Sequence, residues 1–166
     1  MREGHTKTQS AEEESADGAR STRSQADAQH AAIRLLAMRE HSRLELVRKL
    51  TQRGWPLAEV ESVVDALALE GLQSDQRFAE SFVRSRAQKA QGPVRIRAEL
   101  SERGLDRSDI ERALQAEGHD WFAIASRWYE RRYGSQPVAD HKERGRRQQA
   151  LARRGFTSDI VRELVN

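Results

Sequence analysis

The chain has 166 residues, of which 37% are hydrophobic and 33% charged, with a formal net charge of +3 and no cysteine. This composition predicts a globular protein with a thin core, and the lack of cysteine excludes disulfides, thiolate metal sites and a cysteine nucleophile. No apolar run approaches the roughly 18 residues that span a bilayer, and the N-terminus lacks the apolar stretch of a secretory signal. We therefore expect a soluble, cytoplasmic protein that does not cross a membrane.

Residues 1–30 differ from the rest of the chain. They contain the acidic run 12–14, many Ser, Thr, Gln and Ala residues, and no aliphatic residues in a regular phase. Such a segment cannot bury enough apolar surface to offset the entropy lost on ordering. The sequence therefore predicts a disordered tail over residues 1–30 and a folded body over residues 31–166.

One phrase, a leucine followed three residues later by arginine and then glycine, occurs three times in the folded body. The copies are Leu50-x-x-Arg53-Gly54, Leu100-x-x-Arg103-Gly104 and Leu151-x-x-Arg154-Gly155. A fixed period of this length indicates a structural unit that repeats. Because one such unit buries little apolar surface alone, neighbouring units must stack, and the sequence predicts an elongated, curved array.

Aliphatic residues within each repeat recur at spacings of three and four, which is the period of an α-helix. In the first repeat, Ile33, Leu36 and Ala37 are predicted to share one buried face, and Ser42 with Glu45 is predicted to form a capping box. No segment alternates apolar and polar residues for long enough to indicate a strand. The predicted fold class is all-α, with about nine helices in three tandem three-helix repeats over residues 31–72, 73–118 and 119–166.

The glycine of each recurring phrase is predicted to end the middle helix of its repeat in a left-handed conformation, where a side chain would be strained. Asp106 is predicted to cap the third helix of the second repeat, and Phe82 is predicted to lie in the core of that repeat. Residues 134–140 interrupt the third repeat and are expected to let it move relative to the others.

The sequence contains no recognisable catalytic or cofactor-binding motif. No glycine-rich turn precedes a Lys and a Ser or Thr, so a phosphate-cradling loop is absent. The histidines at positions 5, 30, 41, 119 and 141 show no metal-ligand spacing. The acidic residues are expected to form solvated pairs with arginine along helices. We predict a protein that is not an enzyme and has no cofactor or metal.

Two segments concentrate basic residues. Residues 81–98 contain five basic residues and no acidic residue: Arg84, Arg86, Lys89, Arg95 and Arg97. Residues 142–154 contain six basic residues and one acidic residue, and the basic ones are Lys142, Arg144, Arg146, Arg147, Arg153 and Arg154. Because the guanidinium fork suits phosphates and carboxylates, these eleven residues are the predicted binding site for a polyanion or an acidic protein groove. The alternative is that they solvate the outer faces of charged helices.

Aromatic residues leave two interpretations open. Phe78, Phe82, Trp121 and Trp128 occupy helical stripes that indicate core positions. Tyr129 and Tyr133, in contrast, are neighbours in sequence of the arginines at positions 127, 131 and 132. An exposed aromatic ring beside a cation suits the stacking of nucleic-acid bases, although stacking is the less favoured interpretation for both tyrosines.

Two linked motifs in the middle repeat resemble the signature of the RecX family of regulatory proteins. They are Asp75-x-Arg77-Phe78-Ala79-x-x-Phe82-Val83-x-x-Arg86 and Gly92-x-x-Arg95-Ile96-x-x-Glu99-Leu100-x-x-Arg103-Gly104. The resemblance covers residues 31–166 and leaves out the tail. It implies a modulator of the bacterial recombinase RecA that binds RecA and its filament on single-stranded DNA. It further implies inhibition of RecA ATPase, strand exchange and co-protease activity, net filament disassembly, and weak binding of single- or double-stranded DNA.

Two other hypotheses remain open at the level of sequence. A general helical DNA-binding protein would use the same basic segments to contact phosphates without RecA as a partner. A structural adaptor would use them to bind a different acidic protein. In each case we expect the chain to be a monomer.

Overall fold

The computed structural model describes residues 25–166, and every regular element in that part of the chain is an α-helix. Helix α1 covers residues 25–38, and eight helices follow it: α2 (Arg43–Gln52), α3 (Leu57–Leu69), α4 (Asp75–Gln88), α5 (Pro93–Glu102), α6 (Arg107–Glu117), α7 (Trp121–Tyr133), α8 (His141–Arg153) and α9 (Ser158–Leu164). The predicted all-α class with nine helices in three triplets is confirmed for the described residues. The chain divides into two compact units after Ser74, so the first triplet forms one unit and the other two triplets share the second.

Helix α1 begins earlier than predicted and buries a different face. Residues 25–30, assigned to the tail from sequence, are helical, and Ala28, Ala31 and Ala32 are fully buried. Ile33, in contrast, is 38% exposed. The predicted face was wrong for Ile33, whereas Leu36 does pack against the first core. The prediction followed the large aliphatic side chains, but the fully buried positions of α1 are alanines. The remainder of the predicted tail lies outside the described residues.

Side-chain caps fix the first turn of four helices. Ser42 and Asp106, both predicted as caps, accept hydrogen bonds of 3.1 and 2.8 Å from the backbone N–H of the third residue of α2 and α6. Asp120 and Asp140 do the same at α7 and α8. Because the first N–H groups of a helix have no partner inside it, these caps set where each helix starts.

Each triplet has its own hydrophobic core. The first is centred on Leu46, Leu50, Val60 and Val64, and the second on Phe78, Val83, Ile96 and Leu100. The third core is the smallest, with five buried residues: Ala125, Leu151, Phe156, Val161 and Val165. Half-buried aromatic side chains, Trp128 and Tyr129 among them, pack against this third core and complete it.

Phe82 lies at the edge of the second core and is only partly buried, which corrects the core position predicted for it. The guanidinium carbons of Arg86 and Arg103 lie 4.4 and 4.8 Å from the centroid of its ring. These cation–π contacts place two guanidinium groups against the partly buried ring. The contact with Arg103 also links α4 to the end of α5.

The three recurring phrases adopt the same conformation. In each copy the arginine N–H and the N–H of the residue after glycine both donate to the leucine carbonyl, at 3.0–3.4 Å. Gly54, Gly104 and Gly155 have φ angles of +99°, +86° and +88°. The predicted left-handed glycine after the middle helix of each triplet is therefore confirmed.

The third phrase also joins the second and third triplets. The Gly92 N–H donates to the Arg154 carbonyl at 2.7 Å, and the Val94 N–H donates to the Gly155 carbonyl at 2.9 Å. A Cβ atom on Gly92 would lie 2.4 Å from the Gly155 carbonyl oxygen, and one on Gly155 would lie 2.4 Å from the Cβ of Arg95. The two backbones approach this closely because neither glycine has a side chain.

We predict that Gly155→Ala destabilises the fold much more than Gly54→Ala. Both substitutions place a side chain at positive φ, at a cost of roughly 1–2 kcal/mol. At Gly54 no atom lies within 4 Å of the added Cβ, whereas at Gly155 the backbone of α5 must move. The overpacking adds about 1–3 kcal/mol. Urea unfolding followed by circular dichroism measures the difference, and equal losses in the two variants would contradict the close contact.

Candidate binding surface

The segment 81–98 has no acidic residue in sequence, but carboxylates from α6 neutralise part of it in the fold. Arg84 donates to Glu117 at 2.7 and 3.1 Å, and Arg97 donates to Glu111 at 2.6 and 3.0 Å. The hydrogen bonds to these carboxylates raise the pKa of both arginines, and the bond from Arg97 lowers the pKa of Glu111. Helix α6 packs against both α4 and α5, which brings these residues together.

Glu99 binds two further arginines of the same segment. Arg86 and Arg95 each donate through Nε to its carboxylate at 2.8 Å. Burial favours a higher pKa for Glu99, but the hydrogen bonds from Arg95 and Arg86 outweigh it and hold the pKa below its ordinary value. Among the five basic residues predicted to bind a partner in this segment, only Lys89 has an exposed side chain without an ion pair in the described structure.

The basic side chains of the second segment, residues 142–154, fall into two groups. Two of its six basic residues turn inward and make structural contacts. The other four are exposed: Lys142, Arg144, Arg146 and Arg153. Arg146 pairs with Glu143 one turn away, so part of this exposed charge is also compensated.

Arg147 is only 5% exposed and is a structural residue, which corrects its predicted role as a partner contact. It donates to Glu143 at 2.8 Å and to the Tyr129 hydroxyl and the Gln136 carbonyl at 3.0 Å each. Its guanidinium carbon lies 4.7 Å from the centroid of the Tyr133 ring. The bonds to Tyr129 and Glu143 raise its pKa, since they stabilise the charged form.

Residues 134–140 were expected from the sequence to be a movable linker. In the fold, several of them contact the rest of the third triplet. Asp140 caps α8, the Gln136 carbonyl accepts the bond from Arg147, and Val138 packs against the third core. The linker is therefore part of the third triplet.

Arg154 fastens the end of α4 to the third triplet. Its Nη1 donates to the carbonyl oxygens of Lys89 and Ala90 at 3.0 and 3.1 Å, and its guanidinium carbon lies 4.4 Å from the Trp128 ring centroid. Burial lowers the pKa of Arg154, and repulsion from nearby arginines adds to that effect. The side chains that repel it are Arg132, Arg95 and Arg131. Positive charge is therefore in local excess around Arg154.

A groove of about 520 Å³ lies between α7 and α8, and no carboxylate lines it. Within the described residues, Arg132 and Arg153 form no ion pair with any carboxylate. Arg132 was absent from the predicted site because that prediction grouped residues by sequence, whereas the groove combines two helices. Its lining residues are Arg132, Tyr133, Arg146, Gln149, Ala150 and Arg153.

The described residues offer charge and hydrogen-bond donors in this groove. In residues 25–166 no group of three His, Asp or Glu side chains is placed to hold a metal ion. The same part of the chain contains no helix that is long and apolar enough to cross a membrane. The groove and the exposed basic residues around it are therefore the candidate binding surface.

Family models for three consecutive domains match the chain. The models described as RecX first, second and third three-helix domain match residues 28–67, 74–114 and 119–165. A protein named Regulatory protein RecX from Halorhodospira halophila is 51% identical over 132 residues, covering 80% of this chain and 82% of that protein. Another of the same name from Ectopseudomonas mendocina is 45% identical over 135 residues, covering 81% and 90%.

Solved structures share the fold. The crystal structure of RecX from Lactobacillus salivarius has a TM-score of 0.73 at 22% identity, covering 87% of this chain and 96% of that one. A second, titled crystal structure of regulatory protein RecX, has a TM-score of 0.77 at 25% identity, covering 99% and 80%. The fold of this chain is thus found in solved structures.

We predict that Arg147→Ala lowers the melting temperature by more than about 5 °C, because it leaves Glu143 and the Tyr129 hydroxyl without their buried partner. Arg144→Ala removes an exposed charge from the same helix and is expected to change the melting temperature by less than about 2 °C. Thermal unfolding followed by circular dichroism tests both. Equal melting temperatures would contradict the structural role of Arg147.

We predict that Glu99→Gln weakens the fold at neutral pH and that this effect disappears in acid. Because the folded pKa of Glu99 is lowered, its stabilisation is fully present above the unfolded pKa of about 4.3 and is lost as pH falls through the folded value. Urea midpoints at pH 7 and about pH 3 measure the difference. The control Glu102→Gln removes an exposed carboxylate from the same helix. A pH-independent effect of Glu99→Gln would contradict the pairing.

Proposed function

Because the chain belongs to the RecX family of regulatory proteins, we propose that it binds the recombinase RecA and RecA filaments on single-stranded DNA. Binding lowers RecA ATPase, strand exchange and co-protease activity and favours filament disassembly. The observation that carries the proposal is the match of all three RecX domains, in order, from residue 28 to residue 165. We propose further that the protein acts in the cytoplasm as a monomer.

The exposed cations without ion pairs support a charged partner surface. Lys89, Lys142, Arg144 and Arg153 are exposed and have no carboxylate partner in the described structure. Such charges attract a negative surface over several ångströms and mainly raise the rate of association. The DNA in a RecA filament carries negative charge on its phosphates. These four residues are the part of the predicted binding site that remains available for direct contact.

The proposal predicts that adding the chain to preformed RecA filaments on single-stranded DNA lowers the rate of ATP hydrolysis. We expect the double reversal Lys89→Glu with Arg144→Glu to raise the concentration needed for half inhibition several-fold, because it replaces attraction by repulsion. Both side chains are exposed, so the melting temperature and circular dichroism should stay unchanged.

The matched control is Arg34→Glu with Arg48→Glu, which reverses two exposed charges in the first triplet. Its inhibition should remain close to that of the unaltered chain. If both double variants lose inhibition equally, the effect follows net charge and the two proposed contacts are wrong. If the unaltered chain leaves ATP hydrolysis unchanged, the RecA proposal itself fails.

The carboxylate-free groove between α7 and α8 favours a second candidate function, a helical DNA-binding protein that needs no RecA. A salt titration separates the two candidates, because binding through phosphates alone weakens with a log–log slope of about −0.7 per contact on single strands. Tighter binding to naked DNA than to RecA filaments would favour the second candidate. A folded chain that binds neither would favour an adaptor for another acidic protein.

A further inference from the structure

We propose that the joint between the second and third triplets is a latch, meaning a contact that is closed in this structure and can open. It opens when the Arg154 side chain leaves the end of α4, and the third triplet then turns as one body about the chain connection at residues 118–120. The proposal goes beyond the regulation of RecA, because it concerns a movement within this chain alone.

Packing between the helices of these two triplets is sparse in residues 75–166. Helix α6 packs on α4 and α5 within the second triplet, and α9 packs on α7 and α8 within the third. The buried residues of the third core all belong to the third triplet, so that core stays intact when the joint opens. Trp121, at the start of α7, packs against the second core beside the chain connection and would act as the pivot. The joint around Arg154 is therefore a main contact that fixes the orientation of the third triplet.

The first argument for a latch is that a side chain of the third triplet caps a helix of the second. The last carbonyl groups of a helix have no partner within it. Helix α4 ends at Gln88, and Arg154 Nη1 donates to the next two carbonyls, those of Lys89 and Ala90, at 3.0 and 3.1 Å. A cation at this end also interacts favourably with the helix dipole. The end of α4 keeps this cap only while the third triplet is docked.

The second argument is a strained backbone at the same place. Ala90 has a φ angle of +52°, and no other residue except glycine has a positive φ in residues 25–166. A helix usually ends with glycine in this left-handed conformation, because a Cβ atom is strained there. Ala90 adopts it in the closed joint, where its carbonyl accepts the bond from Arg154 and the residue is only 4% exposed. Opening removes that bond and lets Ala90 return to an ordinary conformation.

The third argument is like charge at the joint. Burial lowers the pKa of Arg154, and repulsion from nearby arginines, Arg132 and Arg95 among them, lowers it further. Arg95 lies on α5 in the second triplet, so opening separates it from Arg154. Glu99 binds Arg95 but also binds Arg86, and one carboxylate cannot neutralise two guanidinium groups. Strain and repulsion therefore oppose the hydrogen bonds that close the joint, which is the balance expected of an element with two states.

The test is the distance distribution between two spin labels, measured by double electron–electron resonance. Because the chain has no cysteine, Ser101→Cys with Gln149→Cys labels one exposed position in each triplet. We expect one main distance from the closed joint and a smaller second population from the open joint. Arg154→Gln should raise the ratio of open to closed about tenfold, because a neutral amide replaces a charged donor that binds two carbonyls.

Ala90→Gly should act in the opposite direction and lower the open population, because glycine adopts the left-handed conformation without strain. Loss of folding cannot produce that result, so this variant separates opening from unfolding. Salt should also favour the closed joint, since a concentration of about 0.5 M screens the repulsion between Arg95 and Arg154.

The matched control is Arg153→Gln, which removes the exposed arginine next to Arg154 in sequence. Its distance distribution should match that of the unaltered chain, and circular dichroism should show equal helicity in all variants. An unchanged distribution in Arg154→Gln would overturn the proposal, as would an equal effect of Arg153→Gln. A closed population that falls as salt rises would also overturn it, because ion pairs would then hold the joint. No RecA is present, so ATP hydrolysis on filaments tests the RecA proposal separately.

Discussion

Arginine packed on aromatic rings is the interaction on which the unit from Asp75 to Asn166 depends. Its two cores are small, and each is closed at an edge by a guanidinium lying on a ring: Arg86 on Phe82, and Arg154 on Trp128. The planar guanidinium can stack while its edge still donates hydrogen bonds, which an aliphatic side chain cannot do. A highly charged chain with few large aliphatic residues can therefore form stable helical triplets.

This use of arginine changes how the basic content of the chain should be interpreted. The sequence made eleven basic residues candidates for partner binding, yet these residues have different structural roles in the fold. Arg147 is buried and Arg154 fastens two triplets, while Arg84 and Arg97 are held by carboxylates from α6. The basic residues of the two segments therefore outnumber the exposed cations that have no ion pair in the described structure. What remains is the smaller set of exposed, unpaired cations and the groove beside α8.

The recurring Leu-x-x-Arg-Gly phrase shows how one local structure acquires different uses. All three copies have the same hydrogen bonds and the same left-handed glycine. In the third copy the glycine backbone is also in contact with another triplet, at Gly92. The conformation that ends a helix can therefore also form a joint between triplets. A rigid joint here would hold the groove of the third triplet in a fixed relation to α4 and α5.

The sequence by itself determined the helical class, the three triplets, the caps Ser42 and Asp106, and the glycine that ends each middle helix. These features depend on residues only a few positions apart, through helical period and capping chemistry. Only the tertiary structure decided which arginines are free, because the carboxylates that bind Arg84 and Arg97 are contributed by α6, another helix of the fold. It also decided that Phe82 lies at an edge and that Arg132 joins Arg153 in one groove. Charge compensation and burial depend on distance in space, and sequence spacing specifies that distance only within a helix.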